Sequence, residues 1–530
     1  MSTETITSQK YRVLLSGGLR RLEEKCDQIN KLNVFPVPDG DTGDNMLLTL
    51  QSGLAETIAD GDLNLLCDAL SKGMLYGARG NSGVILSRFF YGVNGYLSGC
   101  EALTTRAFIA GLEKGVSEAY AAVSSPKEGT ILTVMRETTD AVKKSNPTDF
   151  ETLFSVAHTA AAESLKKTPE QLEVLKNAGV VDSGGAGFLC ILEGMKSALE
   201  NGSTYTVISS KATVRELTGE DEMLGYCTEF ILQLMRKENF SLEEFKAFLT
   251  SIGNSVVAFR NDNIVKVHVH TFRPEEVLRA AHQYGEFLTL KIENMTVMHS
   301  KSVVENEFEI PMQKSKYALV AVACGAGVKQ MLADGGCKVV DGGKSMNPSA
   351  QDILEGIREA NADTVFVFPN HKNVLLAANQ AKEMCDFCEV IVVDSEDVGS
   401  CYHAIASFDP SLSTDELSAL FASAKEFGKT VQVARAIRSC TEGDLVVQSG
   451  NWICFDHDRI LVAEKEKREA ILKLFEECDA PDAVILLFGE DESAEDAAAL
   501  ASALEERFPD TEWILVNGGQ PIYPYTFIIQ

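Results

Sequence analysis

The feature that most constrains the fold is a change of hydrophobic pattern near residue 201. Before it, apolar side chains recur every three or four positions, as on one face of a helix, and the first such run is Tyr11, Leu14, Leu15, Leu19 and Leu22. Further helical runs reach residue 199 with few strand signals between them. Residues 1–200 are therefore predicted to form an all-α domain.

After residue 201 the pattern alternates between strand and helix. Strand-like segments at 225–235, 255–259, 264–271 and 286–293 are interrupted by helical segments at 241–249 and 274–284. The resulting order, β-α-β-β-α-β, is that of the split βαβ or ferredoxin-like motif. An α+β middle domain over 201–300 follows from this order.

A polar, charged segment at 301–316 reads as a linker, and short apolar strands then alternate with helices. This alternation predicts a parallel, doubly wound sheet, and the pattern becomes richer in β-structure from about residue 429. Residues 317–530 are predicted to form an α/β domain. The whole chain is then multidomain, which suits its 530 residues.

Composition excludes several classes of function. The chain has 48 Lys and Arg against 77 Asp and Glu, a net charge of −29, which argues against nucleic-acid and anionic-membrane partners. No apolar run is long enough for a membrane span, and the 13 cysteines form no spaced framework. We therefore expect a soluble, cytoplasmic protein, in which a polyanionic substrate would need metal ions or backbone amides.

The most informative motif is Asn33–Met46, NVFPVPDGDTGDNM. Its aspartates, Asp39, Asp41 and Asp44, are separated by glycines that allow tight turns, and compact carboxylate oxygens suit a hard cation such as Mg²⁺. The alternative is an acidic turn that caps the next helix, with Asp44 as the cap. Both interpretations are open at this point.

Three other loops precede helical runs: Gly77–Gly83 (GARGNSG), Glu128–Thr130 (EGT) and Asp182–Gly187 (DSGGAG). Small residues before a helix start leave backbone amides available to an anion, although glycine-rich caps that bind nothing are an alternative. Four such loops in one helical domain, one of them acidic, favour a nucleotide–metal pocket.

These motifs resemble a known family. NVFPVPDGDTG, GARGNSG and VDSGGAG are similar to the DhaL-like nucleotide-binding domain of dihydroxyacetone kinases and of the catalytic subunit of bacterial fatty acid kinase, and the long first motif is more like the latter. The resemblance continues through YCTEF, VKVHVHT, GGKSMNPS, PNHKN, FGED and NGGQPIYPY, ordered from residue 226 to residue 525.

The resemblance implies a helical barrel that binds ATP and two Mg²⁺ ions. It also implies transfer of a phosphoryl group to the carboxylate of a fatty acid presented by a DegV-type binding protein, with an acyl phosphate as product and a homodimer as the assembly. By resemblance, Asp39 and Asp41 hold Mg²⁺ and, with Thr42, form the catalytic set. The implied cofactor-binding residues are Asn45, Gly80, Asn81, Ser82, Gly83, Thr130, Asp182, Gly184 and Gly185.

Two departures from the family pattern leave points open. Dihydroxyacetone kinases carry a first aspartate about five positions before the Asp-Gly-Asp, where this chain has Asn33 and Val34, so the third Mg²⁺ ligand is not identified. Residues 394–401 differ from the expected segment, which leaves the partner-facing detail of the last domain open. The lack of histidine in residues 1–150 is no objection, because a carboxylate acceptor is already ionised at neutral pH.

A second metal site is predicted in the middle domain. His268 and His270 share one face of a strand, and Cys227 and Glu229 share a face of the first strand of the same motif. Two imidazoles and a thiolate are zinc ligands, with water, Glu229 or His299 as the fourth. The alternative is two histidines on a solvent-facing strand; the resemblance, in which these positions look like a metal site, favours zinc at Cys227, His268 and His270.

In the last domain, residues 342–349 and 370–373 fall at predicted strand-to-helix turns, where open α/β sheets bind ligands. They are equally interpretable as turns and helix caps. By resemblance, this domain docks the fatty-acid-binding partner. Two rival functions are a small-polyol kinase and a non-catalytic nucleotide-binding scaffold, and the Asp39–Asp41 pair argues against the scaffold.

Overall fold

The computed structural model describes residues 4–32, 40–57, 62–100, 102–200, 226–235, 240–261, 264–294, 314–343, 345–424, 428–442, 445–457, 459–478 and 481–530. Asp39, His299 and most of the predicted linker lie outside these ranges. The described residues of 1–211 and 314–530 form one compact unit, and those of 212–313 form another. The predicted first and third domains therefore pack together.

Helices dominate the first 200 residues. They are α1 Ser8–Asn30, α2 Thr42–Ala55, α3 Leu63–Tyr76, α4 Gly80–Leu97, α5 Thr105–Ala121, α6 Ile131–Ser145, α7 Phe150–Gln171, α8 Glu173–Ala178 and α9 Ser183–Glu200. A short antiparallel pair, β1 Thr5–Ile6 and β2 Leu103–Thr104, accompanies them. Neighbouring helices pack on one another in sequence from α1 to α7, and α9 packs on both α7 and α1, so the ring of helices closes.

The predicted apolar stripe of α1 lines the core of this ring. Tyr11, Leu14, Leu15 and Leu22 are fully buried, and Leu19 packs against the same core half-buried. Helices α1 and α9 close the ring through glycines: a Cβ atom on Gly17 would lie 2.6 Å from the carbonyl oxygen of Gly194. Side chains any larger would hold the two helices apart.

One helix of this ring was not predicted from the sequence. Helix α7 continues through Pro169 to Gln171. The short α8 follows and ends at Gly179, whose φ of +66° is the left-handed conformation that glycine adopts readily. A helix of this length carries too few positions to show helical periodicity.

The middle unit has the predicted element order. Its strands are β3 Tyr226–Leu234, β4 Gly253–Asn261, β5 Ile264–Thr271 and β6 Gly285–Asn294, and its helices are α10 Leu242–Ile252 and α11 Pro274–His282. The sheet is antiparallel in the order β4-β5-β3-β6. Val265, Val267 and Val269 of β5 are fully buried, as their alternation predicts.

A four-stranded parallel sheet opens the C-terminal region. It contains β7 Ser315–Ala323, β8 Cys337–Asp341, β9 Ala362–Phe368 and β10 Glu389–Val392 in the order β10-β9-β7-β8, joined by helices α12 Ala326–Asp334, α13 Ala350–Ala360 and α14 Leu375–Met384. Leu319 and Ala321 enter one core while Val320 and Val322 enter another. Both faces are covered, as predicted, whereas β8 gives little sequence signal because only Val339 and Val340 of its five residues favour a strand.

The strands after residue 428 do not continue that parallel sheet. Strands β11 Lys429–Arg435, β14 Trp452–Asp456, β15 Arg459–Glu464, β16 Ala483–Phe488, β17 Glu512–Asn517 and β18 Tyr525–Ile529 form a second, mixed sheet in the order β15-β14-β11-β18-β16-β17, and β12 Cys440–Glu442 with β13 Leu445–Val447 forms a hairpin. The other helices are α15 Val398–Ala406, α16 Thr414–Ser423, α17 Lys467–Glu477 and α18 Ala494–Arg507. The β-rich pattern after residue 429 therefore belongs to a separate sheet.

None of the helices within the described ranges has both the length and the apolar character that a membrane crossing requires.

Candidate nucleotide and metal site

Four helix starts lie at one end of the helical ring. Consecutive helices alternate in direction, so α2, α4 and α6 all begin at the end where α1, α3 and α5 finish. Helix α7 also ends at this end of the ring. The short α8 lies between α7 and α9, so α9 begins at the same end. The four loops singled out in the sequence are the loops before these four helices.

Specific contacts join these starts. The Ser183 hydroxyl donates a hydrogen bond of 3.1 Å to Thr42 Oγ1, which connects α9 with α2. The Asp182 carboxylate accepts hydrogen bonds from the backbone N–H of Gly185, at 2.7 Å, and from that of Ile131, which connects α9 with α6. A Cβ atom on Gly80 would overlap Asn45 Nδ2, so α4 begins directly against α2.

Three of the four helix starts at this end differ in capping from those at the other end; the exception is α9, whose first turn is capped by the Asp182 carboxylate. Helices α1, α3, α5 and α7 are capped by side-chain oxygens, those of Thr7, Asp62, Thr104 and Asp149. By contrast, no side chain caps α2, α4 or α6 at the N-cap residues Asp41, Arg79 and Thr130. First-turn amides without side-chain caps, at the positive ends of helix dipoles, suit a polyanionic ligand.

Small residues at the start of α4 have a steric reason. Gly80 has a φ of +55°, in the left-handed region that penalises a side chain, and it faces the buried carboxamide of Asn45. A Cβ atom on Gly83 would overlap Thr49 Oγ1. Gly80, Gly83 and Asn45, all predicted to bind the cofactor, therefore also set the close approach of α4 to α2.

The first turn of α2 is held from α1 by Asn30. Its side-chain oxygen accepts a hydrogen bond of 2.7 Å from Gly43 N–H, and its Nδ2 donates one of 2.7 Å to Asp44. Asp44 lies inside the helix and the N-cap position is Asp41, so the interpretation of Asp44 as the cap was wrong. Asn30 was not among the predicted site residues, because a polar residue in the last turn of a helix does not reveal its partner.

Asp182 carries the clearest electrostatic perturbation of this site. Burial of its carboxyl raises the pKa to about 6, and the hydrogen bonds from Gly185 and Ile131 reduce that rise. Gly184 and Gly185 follow it in the first turn of α9, where a Cβ atom on Gly185 would lie 2.9 Å from Val134 Cγ2. These two glycines therefore allow α9 to approach α6.

Other predicted residues have local partners. The Thr130 hydroxyl donates a hydrogen bond of 2.8 Å to the carbonyl oxygen of Lys127. Asn81 and Ser82 lie half-buried in the first turn of α4, and Asn81 Nδ2 is 3.5 Å from Asn373 Oδ1. Asp39 is outside the described residues, so of the two predicted Mg²⁺ carboxylates only Asp41 can be placed.

The C-terminal region reaches this site through the loops that follow β8 and β9. Asn347 donates a side-chain hydrogen bond to Asp41, and its carbonyl oxygen accepts one of 2.9 Å from Arg79 Nη1. Ala350 N–H donates to Ala78 O at 3.1 Å. The predicted strand-to-helix turns thus lie against the starts of α2 and α4, a contact that no local sequence pattern indicated.

The polar side-chain oxygens at the starts of α2 and α4 fit a hard divalent cation. Besides its carboxylate, the side-chain oxygens of Asn347 and Asn81 are buried and have no hydrogen-bond partner among the described residues. Carboxylate and carboxamide oxygens are the ligands that Mg²⁺ takes in proteins. Among the side chains that the structure describes, no group of three or more His, Cys, Asp or Glu residues could hold a metal.

The predicted zinc residues are placed by their backbone alone. In the pairing of β3 with β5, Cys227 lies directly opposite His270, and Glu229 lies opposite His268. Their side chains are not among those described. The register therefore brings the four positions together, and the zinc site stays a prediction.

Comparison with known families assigns the three regions. Residues 36–197 match the DAK2 domain. Residues 223–302 match the middle domain, and residues 318–530 the C-terminal domain, of the FakA-like proteins, a family of fatty acid kinase components.

Solved structures resemble parts of the chain at low similarity. A DegV family protein from Corynebacterium glutamicum has a TM-score of 0.32 and 15% identity over 40% of this chain and 96% of its own. Dihydroxyacetone kinase from C. freundii, solved with AMP-PNP and Mg²⁺, has a TM-score of 0.29 and 18% identity over 37% of this chain and 35% of its own.

Full-length relatives show the family. Protein YloV of Bacillus subtilis (strain 168) is 36% identical, and an uncharacterized protein of Staphylococcus aureus (strain USA300) is 32% identical; in each case the alignment covers 99% of both chains. With three family models matched along its length and a relative 36% identical over 99% of both chains, this chain belongs to the FakA-like family of fatty acid kinase proteins.

Proposed function

We propose that this protein is an ATP- and Mg²⁺-dependent kinase subunit that phosphorylates the carboxylate of a fatty acid presented by a DegV-type protein, giving an acyl phosphate. One observation carries the proposal. Helices α2, α4 and α6 begin together without a cap from the side chains of their own N-cap residues, and Asp41 lies at the start of α2, in a chain of this family. Such an arrangement suits a triphosphate and its metal ion.

The chain's own residues would supply positioning and charge stabilisation. First-turn amides of α4, and those of α2 other than Gly43 N–H, would donate to phosphate oxygens, and the Thr42 hydroxyl accepts a hydrogen bond from Ser183. Asp41 with Asp39, and Asn45, Gly80, Asn81, Ser82, Gly83, Thr130, Asp182, Gly184 and Gly185 around them, would hold the metal–nucleotide complex. Bound Mg²⁺ would neutralise phosphate charge during transfer.

The acceptor requires little further chemistry. A fatty acid carboxylate is ionised at neutral pH and attacks without a general base, which agrees with the lack of histidine in residues 1–150. The DegV-type partner is proposed to dock on residues 317–530. Family membership supports both steps.

The test is carrier-dependent ADP release. The chain is incubated with ATP, Mg²⁺, oleate and a DegV-type protein, and ADP is followed over time. We expect release only when lipid and carrier are both present, and a loss of roughly 100-fold or more in Asp41→Ala. Asp68→Ala, an exposed aspartate on α3, is the matched control and should retain activity.

Each other outcome has a defined meaning. ADP release with dihydroxyacetone and no carrier would replace the proposal with a small-polyol kinase, and nucleotide binding without ADP release would indicate a scaffold. Full activity of Asp41→Ala would refute the metal assignment.

We also propose zinc at Cys227, His268 and His270, supported by the register of β3 and β5. Elemental analysis should find zinc in the wild type and much less in His268→Ala, with the exposed His282→Ala as control. Equal zinc content in all three proteins would show that His268 is not a zinc ligand and would refute this site. The cytoplasmic location and the homodimer also stay predictions; sedimentation should give about twice the chain mass of 57.6 kDa.

A further inference from the structure

The carboxamide of Asn347 is only half satisfied. The residue is 1% exposed, and its Nδ2 donates to Asp41 Oδ2 and to Ser345 O, the latter at 2.6 Å. Its Oδ1 is buried with no hydrogen-bond partner among the described residues. A buried acceptor left without a partner destabilises the folded state, so its retention calls for a ligand.

The backbone around Asn347 is fixed against the helical ring. Arg79 donates to its carbonyl oxygen at 2.9 Å and approaches Asp352 at 3.5 Å. Three residues further along, Ala350 N–H donates to Ala78 O at 3.1 Å. The backbone that carries the Asn347 side chain is therefore fixed by contacts that the side chain itself does not make.

The free oxygen of Asn347 lies beside the start of α4. Asn347 Oδ1 is 3.5 Å from the position that a Cβ atom on Gly80 would occupy, and Gly80 is the first residue of α4. Asn81, the next residue of that helix, has a second buried side-chain oxygen without a partner among the described residues. Two neutral oxygens and the Asp41 carboxylate thus lie at the same helix starts, which favours a cation over an anion there.

We propose that Asn347, supplied by the C-terminal α/β region, is a ligand of the divalent cation that Asp41 holds. The inference rests on the proposed function and adds to it a residue 306 positions away from Asp41. Its consequence is a linkage: binding of the metal–nucleotide complex strengthens the contact between the α/β region and the helical ring, and that contact strengthens metal–nucleotide binding by the same factor.

The test measures binding rather than turnover. Calorimetry on the full chain compares AMP-PNP affinity with Mg²⁺ and with EDTA for the wild type and Asn347→Leu, which keeps the volume but removes the oxygen. We expect about a tenfold loss of affinity, about 1.4 kcal/mol, only when Mg²⁺ is present. Asn379→Leu on α14, whose side chain donates to a carbonyl of its own helix, is the control and should match the wild type.

A second variant distinguishes a role of Asn347 as a metal ligand from a purely structural role. Asn347→Asp restores an oxygen ligand but loses the amide donor to Asp41, so it should regain Mg²⁺-dependent affinity while Asn347→Leu does not. Wild-type affinity of Asn347→Leu with Mg²⁺, or an equal loss with EDTA, would overturn the inference. Failure of Asp41→Ala to change the Mg²⁺ dependence would instead refute the proposed metal site itself, and a lack of ADP release leaves this binding test unaffected.

Discussion

The hydroxyl of Ser183 donates a hydrogen bond of 3.1 Å to the hydroxyl of Thr42, across 141 positions of sequence. It joins the first turn of α9, the last helix of the ring, to the first turn of α2. The shape of the candidate nucleotide site therefore depends on closure of the ring. Each of the four loops before α2, α4, α6 and α9 contributes residues to the site, and contacts between the helix starts hold these loops in place.

This pair predicts a measurable coupling. Ser183→Ala and Thr42→Val each remove one partner, and the double variant removes both. Because a neutral hydrogen bond contributes about 0.5–1.5 kcal/mol, the free energies of unfolding should be non-additive by about that amount. Chemical denaturation of the four proteins measures it, and strict additivity would show that the bond contributes nothing.

Gly80→Ala should destabilise the protein and weaken nucleotide binding. The substitution places a side chain at φ +55° and drives its Cβ into Asn45 Nδ2, so we expect a loss of more than about 1 kcal/mol and at least tenfold weaker AMP-PNP binding. Thermal denaturation and calorimetry are the measurements.

Two other glycines provide controls for Gly80. Gly95, in the same helix, has no atom within 4 Å of the position that a Cβ atom would take, so Gly95→Ala should stabilise α4 by about 0.5–1 kcal/mol. Gly179 has φ +66° with open space, so Gly179→Ala measures backbone strain alone. If Gly80→Ala lowers the free energy of unfolding no more than Gly179→Ala does, the overlap with Asn45 does not contribute to the destabilisation.

Asp182 predicts a pH-dependent stability. Its pKa in the folded protein is raised to about 6 by burial, above the unfolded value of about 4, so the folded state binds the extra proton between these pH values. The stabilisation from that proton is complete below about pH 4 and lost as pH rises through about 6. Asp182→Asn lacks this titration, and the wild type should lose stability relative to it over that interval.

Melting temperatures of the two proteins from pH 4 to pH 8 check the prediction for Asp182. Other carboxyl groups titrate in both proteins and cancel in the difference. We expect the difference to change between about pH 4 and 6 and to be flat above. A constant difference across the range would mean that the folded pKa is ordinary.

Gln380 should be important for packing of α14 on the helical ring. It is 1% exposed, its Nε2 donates to Leu75 O, and its Oε1 accepts from Arg88 Nε at 3.2 Å. Gln380→Leu leaves both partners, which are only partly buried, without these bonds, at a cost of about 1 kcal/mol or more. The free energy of unfolding, measured by chemical denaturation, should fall more for Gln380→Leu than for the control Gln351→Leu. Gln351 is exposed, and substitutions of exposed residues cost about 0.5 kcal/mol or less. Equal effects would contradict the buried role.

Local periodicity was enough to predict most elements. The stripe from Tyr11 to Leu22 predicted α1, and the alternation at 265–269 predicted the buried face of β5, because each pattern is repeated within one element. The pattern could not reveal β8, which is short and contains only two strand-favouring residues, or the second sheet, in which β11 pairs with β18 near the end of the chain.

The sequence by itself determined which loops carry small and acidic residues, where most helices begin, and, through whole motifs, the family resemblance. Only the tertiary structure decided that α2, α4, α6 and α9 start at one end, that Asn30 rather than Asp44 organises the first turn of α2, and that Asn347 meets Asp41. The reason is physical: periodicity shows that a face is apolar or a loop is tight, but the partner of that face or loop is chosen by packing among segments far apart in the chain.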